Sequence, residues 1–305
     1  MYKSTAPVQA VNELSPSLGR RQLRGITESA VLEGNALAVL RSLPSDSVRC
    51  AITSPPYWGL RDYGIQGQIG LEPSLSQFLD QLTLVFSELR RVLANDGTLW
   101  LNIGDGYTSG NRGYRASDKK NPARAMATRP PTPDGLKPKD LIGVPWRLAF
   151  ALQEDGWFLR SDVVWNKPNA MPESVKDRPV RSHEYLFMLT KSEHYFYDHE
   201  AVKEETGDEG LRRSRRSVWS VNTKPFLGAH FATFPAELIR PCVLASSKPG
   251  DFVLDPFFGS GTVGLVSQEE GRRYLGIELN PEYVRLASER LQAAQPNLTK
   301  LVVNG

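Results

Sequence analysis

The chain has 305 residues, 40% hydrophobic and 23% charged, with a formal net charge of +3, which is enough for one large α/β domain with insertions and a substantial core. No apolar run approaches the roughly 18 residues of a membrane span, and the first residues lack the apolar centre of a secretory signal, so a soluble, cytoplasmic protein without membrane association is expected. Cys50 and Cys242 stand far apart without His or Cys neighbours at ligand spacing, which excludes a disulfide framework and leaves no expected metal site.

Residues 1–25 are polar and basic at Arg20, Arg21 and Arg24, and read as a tail ahead of a domain spanning 26–305. A short strand is expected at 30–35 and a helix at 36–43, stopped by Pro44. The apolar run 48–53 predicts a strand that ends at Ser54-Pro55-Pro56. Helical spacing of Phe78, Leu82, Phe86 and Leu89 predicts a helix over 75–93, a turn at Asn95-Asp96-Gly97 and a strand over 98–103. This alternation predicts a parallel sheet. Residues 107–140, rich in Gly, Pro and basic side chains, read as an insertion. A helix at 145–154 and strands at 161–166 and 184–190 follow, then the aromatic patch His194 to Tyr197 and a second polar insertion over 200–228. The last third reads as βαβα: helix 235–244, strand 252–255, a glycine turn, a helix from Thr262, strand 274–278 and a helix from Pro281.

The segment Asp255-Pro256-Phe257-Phe258-Gly259-Ser260-Gly261-Thr262 follows an apolar strand and opens a helix, where glycines let backbone approach a nucleotide-type cofactor closely. About twenty residues on, Glu278 ends the next strand, placed to accept hydrogen bonds from ribose hydroxyls. The turn holds no basic residue to meet a pyrophosphate, so a cofactor without phosphates suits it better than a dinucleotide. A plain tight turn with a solvent-facing Glu278 is the alternative.

Ser54-Pro55-Pro56-Tyr57 comes directly after a strand, and its two prolines give an extended loop that offers acceptors without amide donors. An aromatic amine is a poor nucleophile because its lone pair is delocalised into the ring. A catalyst should bind its N–H hydrogens and localise that lone pair, and the Ser54 hydroxyl and Pro55 carbonyl are suited to this. Tyr57 would stack on a base drawn out of the duplex, with Trp58 as support. By itself such a loop is also a common surface turn.

Together the two motifs resemble amino-DNA methyltransferases, whose signature is an (Asp/Asn/Ser)-Pro-Pro-(Tyr/Phe) loop and a Phe-x-Gly-x-Gly turn. With the catalytic loop first, the order resembles the permuted β group, and Val164 to Asn169, Arg181 to Tyr185 and His230 to Pro235 fit the same family. The resemblance implies a doubly wound, mostly parallel, seven-stranded Rossmann-like sheet with both motifs at the carboxyl ends of neighbouring strands. It implies S-adenosyl-L-methionine as cofactor, held by Asn35, Phe231, Pro235, Asp255, Phe257, Gly259, Gly261, Glu278 and Asn280, with Ser54, Pro55, Pro56 and Tyr57 catalytic. Where the family often has an acidic residue against the adenine amino group, this chain has Asn35, whose carbonyl oxygen can also accept. Ser in the catalytic loop favours the exocyclic N4 of cytosine as target, for restriction–modification or epigenetic marking, and adenine N6 is the alternative. Methylation of RNA or a protein glutamine fits the motif order less well, and a non-catalytic nucleic-acid-binding module is the rival of another class.

The partner implied is double-stranded DNA, with a cognate restriction endonuclease as a second, for a monomer or homodimer. Arg112, Arg115, Lys119 and Lys120 in one insertion, and Arg212, Arg213, Arg215 and Arg216 in the other, are the candidate phosphate contacts, although charge runs are usually solvated loops. Tyr107 and Tyr114 lie among the first group. Pro241-Cys242 resembles the nucleophile dipeptide of cytosine-C5 enzymes but lies in an amphipathic helix, where a packed cysteine is expected. His183 is expected to be structural, because a methylated cationic amine loses its proton without a dedicated base.

Overall fold

Strands that are apolar on both sides must be covered on both sides, and the central strands of this chain are of that kind. The computed structural model describes residues 27–109, 130–205, 210–224 and 234–302, of which 295–302 as backbone alone. Strands β1 (Ala30–Glu33), β2 (Val48–Thr53), β3 (Leu93–Ile103), β4 (Phe158–Asn166), β5 (His183–Thr190), β8 (Val218–Ser220), β9 (Phe252–Asp255) and β10 (Arg273–Glu278) form one sheet in the order β1-β10-β9-β2-β3-β5-β4-β8. The run from β1 to β3 is parallel, and β5 lies antiparallel to both β3 and β4.

Alternate residues of these strands feed two separate cores. Ala51, Leu99, Leu101, Leu254 and Ile277 pack against α1 (Ala36–Ser42), α2 (Leu75–Val92) and α3 (Val144–Glu154), through side chains such as Leu40, Phe78, Phe86 and Leu148. Cys50, Ile52, Trp100 and Val253 pack on the other face against α4 (Ala236–Ser246), α5 (Thr262–Glu269) and α6 (Pro281–Val302), through Leu238, Cys242, Val263 and Leu291. Both cysteines are buried packing residues, as expected. The doubly wound sheet is therefore as the sequence implies.

Two local expectations are corrected. Asn95-Asp96-Gly97 does not break the chain between helix and strand but lies inside the 11-residue strand β3. The register between β2 and β3 shifts there, Arg49 forms an ion pair with Asp96, and a Cβ on Gly97 would come within 3.0 Å of the Arg49 carbonyl. The polar stretch 200–228 is not all loop. It holds a 3-10 turn (Glu200–Val202), the paired short strands β6 (Glu204–Glu205) and β7 (Arg212–Arg213), and β8, which extends the seven expected strands to eight among the described residues. The cause is Trp219, a buried ring 6.0 Å from that of Trp100, whose indole N–H donates to the Arg216 carbonyl.

The second phenylalanine of the glycine turn belongs to the core. Phe258 is 3% exposed, and a Cβ built on Gly276 of β10 would stand 2.3 Å from its Cγ, so glycine there is a packing requirement. Gly276→Ala should cost about 1–3 kcal/mol, read as a lower urea midpoint with unchanged slope, and adding Phe258→Leu should recover part of the loss. An unchanged midpoint in the single variant would show that the ring yields freely.

Candidate active site

Because β2 and β9 are parallel neighbours, with Cys50 opposite Val253 and Ala51 opposite Leu254, their carboxyl ends leave the sheet side by side. Ser54-Pro55-Pro56-Tyr57 follows one end and Pro256-Phe257 the other. The Thr53 hydroxyl donates to Asp255 Oδ1 at 2.6 Å, and the Phe257 amide donates to the same oxygen at 3.0 Å. Asp255 is 2% exposed. Burial pushes its carboxyl up to about 7, against the downward pull of the Thr53 and Phe257 hydrogen bonds.

Above these strand ends lies one cleft, walled by Gly34 and Asn35, by Ser54 to Tyr57, by Asp255 to Gly259 and by Glu278 to Asn280. Every expected catalytic residue lines it, and so do Asn35, Asp255, Phe257, Gly259, Glu278 and Asn280 among the expected cofactor residues. Glu278 is not a solvent-facing end. Its two carboxylate oxygens accept from the Gly259 and Asn280 amides at 2.8 Å each, and burial holds its carboxyl above the usual range. The Asn280 side chain accepts from Glu282 N and so starts the turn into α6. Asn35 caps α1, its Oδ1 accepting from Ala38 N, while its amide NH2 donates to the Gly67 carbonyl.

Two expected cofactor residues lie off the cleft wall. Pro235 is the N-cap of α4, and Phe234 beside it lines the cleft instead. Gly261 has φ +78°, and a Cβ there would meet Ala287 and Phe258 at 3.2 Å, so its smallness serves helix packing. Phe231, together with Arg112, Arg115, Lys119, Lys120, Tyr114 and the basic tail, lies outside the described residues.

The sequence reading passed over the loop from Leu60 to Ile69, which forms the outer wall of the cleft. Gln68 ties it together by accepting from Tyr63 N at 2.8 Å and donating to the Arg61 carbonyl at 3.2 Å, and the Tyr63 ring meets Tyr283 of α6 edge-on. Its signal was the glycine spacing Gly59, Gly64, Gly67 and Gly70, all at positive φ.

Tyr57 and Leu60 also wall a second cavity with Gly104 to Ser109, Pro130 and Ile142. The Tyr57 hydroxyl donates to Glu184 Oε2 at 3.0 Å, and burial, then the Glu184 charge, push its pKa well above the ordinary value. Trp58 is anchored by donation from its indole to the Glu72 carbonyl. His183 is partly buried with its ring edge-on to Tyr185, and burial, then Arg181, lower its pKa. Over the second cavity the Arg178 guanidinium stacks 3.8 Å from the Tyr107 ring centroid.

The described basic candidates split. Arg215 is spent on the fold, lying over the Trp219 ring and 3.7 Å from Glu204. Arg212 donates to the Glu200 and Lys203 carbonyls and Arg213 stands 3.6 Å from Glu204, while both remain exposed, as does Arg216. Among the described residues no cluster of His, Cys, Asp or Glu is arranged to hold a metal, and no helix is long and apolar enough to cross a membrane.

A doubly wound sheet with a glycine turn and an acceptor loop on adjacent strand ends defines an α/β transferase with a nucleoside-type cofactor cleft. The chain belongs to the N6/N4 DNA methylase family, whose profile matches residues 48–289. It is 70% identical over 299 residues to the Type II methyltransferase M.Cfr9I of Citrobacter freundii, covering 98% of each chain. Among solved structures, TTHA0409 of Thermus thermophilus, complexed with S-adenosyl-L-methionine, is similar with a TM-score of 0.61 and 27% identity, over 87% of this chain and 95% of that one. The cytosine-N4-specific PvuII DNA methyltransferase shares the fold with a TM-score of 0.65 at 22% identity, over 88% of this chain and 91% of that one.

In the ligand-free protein Asp255 keeps its proton to about pH 7, whereas in the unfolded chain it titrates near 3.8. The folded state therefore binds the extra proton between these values, and the stability Asp255 contributes is lost as pH rises from about 4 to about 7. Asp255→Asn should remove that slope, so that urea unfolding favours the variant more at about pH 8 than at about pH 5. An equal difference at both pH values would show that Asp255 ionises normally.

Proposed function

We propose that the protein is a modification methyltransferase that methylates the exocyclic N4 of cytosine in double-stranded DNA, using S-adenosyl-L-methionine. The observation that carries this reading is the placement of Ser54-Pro55-Pro56-Tyr57 in the wall of the cleft that also contains Asp255 and Glu278.

The cleft fits the cofactor chemically. Both hydrogen bonds to Asp255 fall on Oδ1, and among the described residues none falls on Oδ2, which leaves an acceptor in the cleft wall suited to the methionine ammonium. Glu278 would hold the ribose hydroxyls with its remaining lone pairs, Asn35 the adenine amine, and Phe234 and Phe257 would supply apolar walls. When bound, the cofactor supplies a methyl group made electrophilic by its sulfonium.

The protein's share is to prepare the amine. The Ser54 hydroxyl oxygen and the Pro55 carbonyl accept its two N–H hydrogens, which pulls the nitrogen lone pair out of the ring and aims it at the methyl. Tyr57, between the two cavities, offers a ring face for the flipped base, which would enter from the side of Gly104 to Ser109. Once methylated, the cationic nitrogen releases its proton to solvent without a dedicated base. A neutral hydroxyl in place of a carboxylate at position 54 supports cytosine N4, and adenine N6 is the outcome that would replace it. Exposed Arg212, Arg213 and Arg216, with Arg112, Arg115, Lys119 and Lys120, are the proposed phosphate contacts. In a type II restriction–modification pair the partner is an endonuclease of the same specificity, and the site of action is the cytoplasm.

Nucleosides from duplex DNA treated with the protein and isotope-labelled cofactor should contain labelled N4-methylcytosine by mass spectrometry, and N6-methyladenine instead would reassign the target. Ser54→Ala should lower kcat by roughly a hundredfold, as expected for removing an oriented polar contact to the reacting group, with cofactor affinity nearly unchanged. Wild-type turnover in that variant would remove Ser54 from the mechanism.

A further inference from the structure

We propose that Glu184 is a positioning residue for methyl transfer, which fixes the Tyr57 hydroxyl as a donor and thereby holds the Tyr57 ring where the target base is to stack. The inference rests on the function proposed above.

Three strands deliver the parts. Glu184 is the second residue of β5, Asn102 lies near the end of β3, and Lys167 directly follows β4. Glu184 Oε2 accepts from the Tyr57 hydroxyl at 3.0 Å and from Asn102 Nδ2 at 3.2 Å, and Oε1 pairs with Lys167 Nζ. Asn102 Nδ2 also donates to the Tyr185 carbonyl at 3.1 Å, which fixes its amide with the NH2 towards Glu184. The Lys167 and Glu184 side chains are only 17% and 18% exposed, and Lys167 Nζ stands 4.1 Å from the Trp165 ring centroid. The carboxylate is thus paired with a cation as enclosed as itself.

On the Gly104 side the space around the group is closed as well. A Cβ on Gly104 would come 2.8 Å from Tyr57 Cε2 and 3.2 Å from Glu184 Oε1, so backbone presses directly on the ring and the carboxylate.

The direction of the hydrogen bonds follows from the groups themselves. An ionised carboxylate only accepts, so the Tyr57 proton must point at Glu184 and the phenol lone pairs must point away from it. With the phenol proton committed to Glu184, that hydrogen bond and the Gly104 backbone together hold the ring on which the base is to stack. Without Glu184 the hydroxyl loses its acceptor, and the ring is free to tilt and loosen the alignment of the base with Ser54 and Pro55. None of these contacts reaches the cofactor cleft beyond Tyr57, so the effect belongs to turnover and not to cofactor binding.

The test is a double-mutant cycle of Glu184→Gln and Tyr57→Phe in the full-length protein. It is read as kcat and KM for methylation of duplex DNA, with cofactor Kd and Tm measured alongside. Each single variant should lower kcat by roughly ten- to a hundredfold, the effect of one or two oriented hydrogen bonds, with cofactor Kd unchanged. The double variant should be no slower than the slower single, because both changes remove the same orientation. Glu184→Asp should fall between Glu184→Gln and wild type. Wild-type kcat in Glu184→Gln, or single effects that multiply in the double variant, would overturn the proposal. Should Glu184→Gln fail to fold, Tyr57→Phe decides: a wild-type kcat overturns the proposal, and a lowered kcat with unchanged cofactor Kd supports it. Absence of any methylated nucleoside with wild-type protein would instead overturn the proposed function, and this inference with it.

Discussion

One hydrogen bond, from the Thr53 hydroxyl to Asp255 Oδ1 at 2.6 Å, joins residues 202 positions apart and sets the geometry of the site. It exists because β2 and β9 lie side by side in parallel, a pairing that places the two most informative loops of the chain at one edge of the sheet. Both strands are buried on both faces, so neither loop can shift without disturbing two cores. The distance between acceptor loop and cofactor wall is therefore a property of the sheet. Reordering the motifs along the chain leaves it unchanged.

The cleft and its surroundings hold two enclosed carboxylates in opposite electrostatic states. Glu184 is matched by Lys167 and by two neutral donors, so its charge is neutralised within the protein. Among the described residues Asp255 has two neutral donors and no cation, and burial keeps its pKa high. A buried acid in that condition gains most from a ligand that brings a positive group to it, and on the proposed reading the free half of its hydrogen-bonding capacity would serve as a binding determinant. Glu184, already paired, acts on orientation. On the proposed reading, the difference separates a group that would recruit a ligand from one that would arrange a side chain.

The sequence showed the sheet because its strands are apolar on both faces, and it showed the cleft because glycines and prolines constrain backbone wherever they fall. Ser54 to Tyr57, Asp255, Phe257, Gly259 and Glu278 were all legible on those grounds. Gly261 was legible as a motif member but not as a packing residue, since its contact with Ala287 comes from a helix more than twenty positions away. Asp96 and Gly97 looked like a turn because the pairing of Asp96 with Arg49, which keeps them in a strand, is long-range. Trp219 recruits an eighth strand from a stretch whose composition is that of a loop. Glu184 and Lys167 stand in segments that fit the family, but nothing local gave them or Asn102 a role. Each is an ordinary residue at a strand end, and only the order β3-β5-β4 brings them to Tyr57.

The central claim is that neighbouring strand ends bring methyl donor and target amine together at Ser54 and Pro55. The most direct measurement is a crystal structure of the protein with S-adenosylhomocysteine and a duplex containing its methylation site. The account predicts the cofactor sulfur in the cleft beside Asp255, and the cytosine amino nitrogen about 3 Å from both Ser54 Oγ and the Pro55 carbonyl oxygen. A flipped base whose amino group meets other acceptors, or a cofactor seated outside the cleft of Asp255 and Glu278, would contradict it.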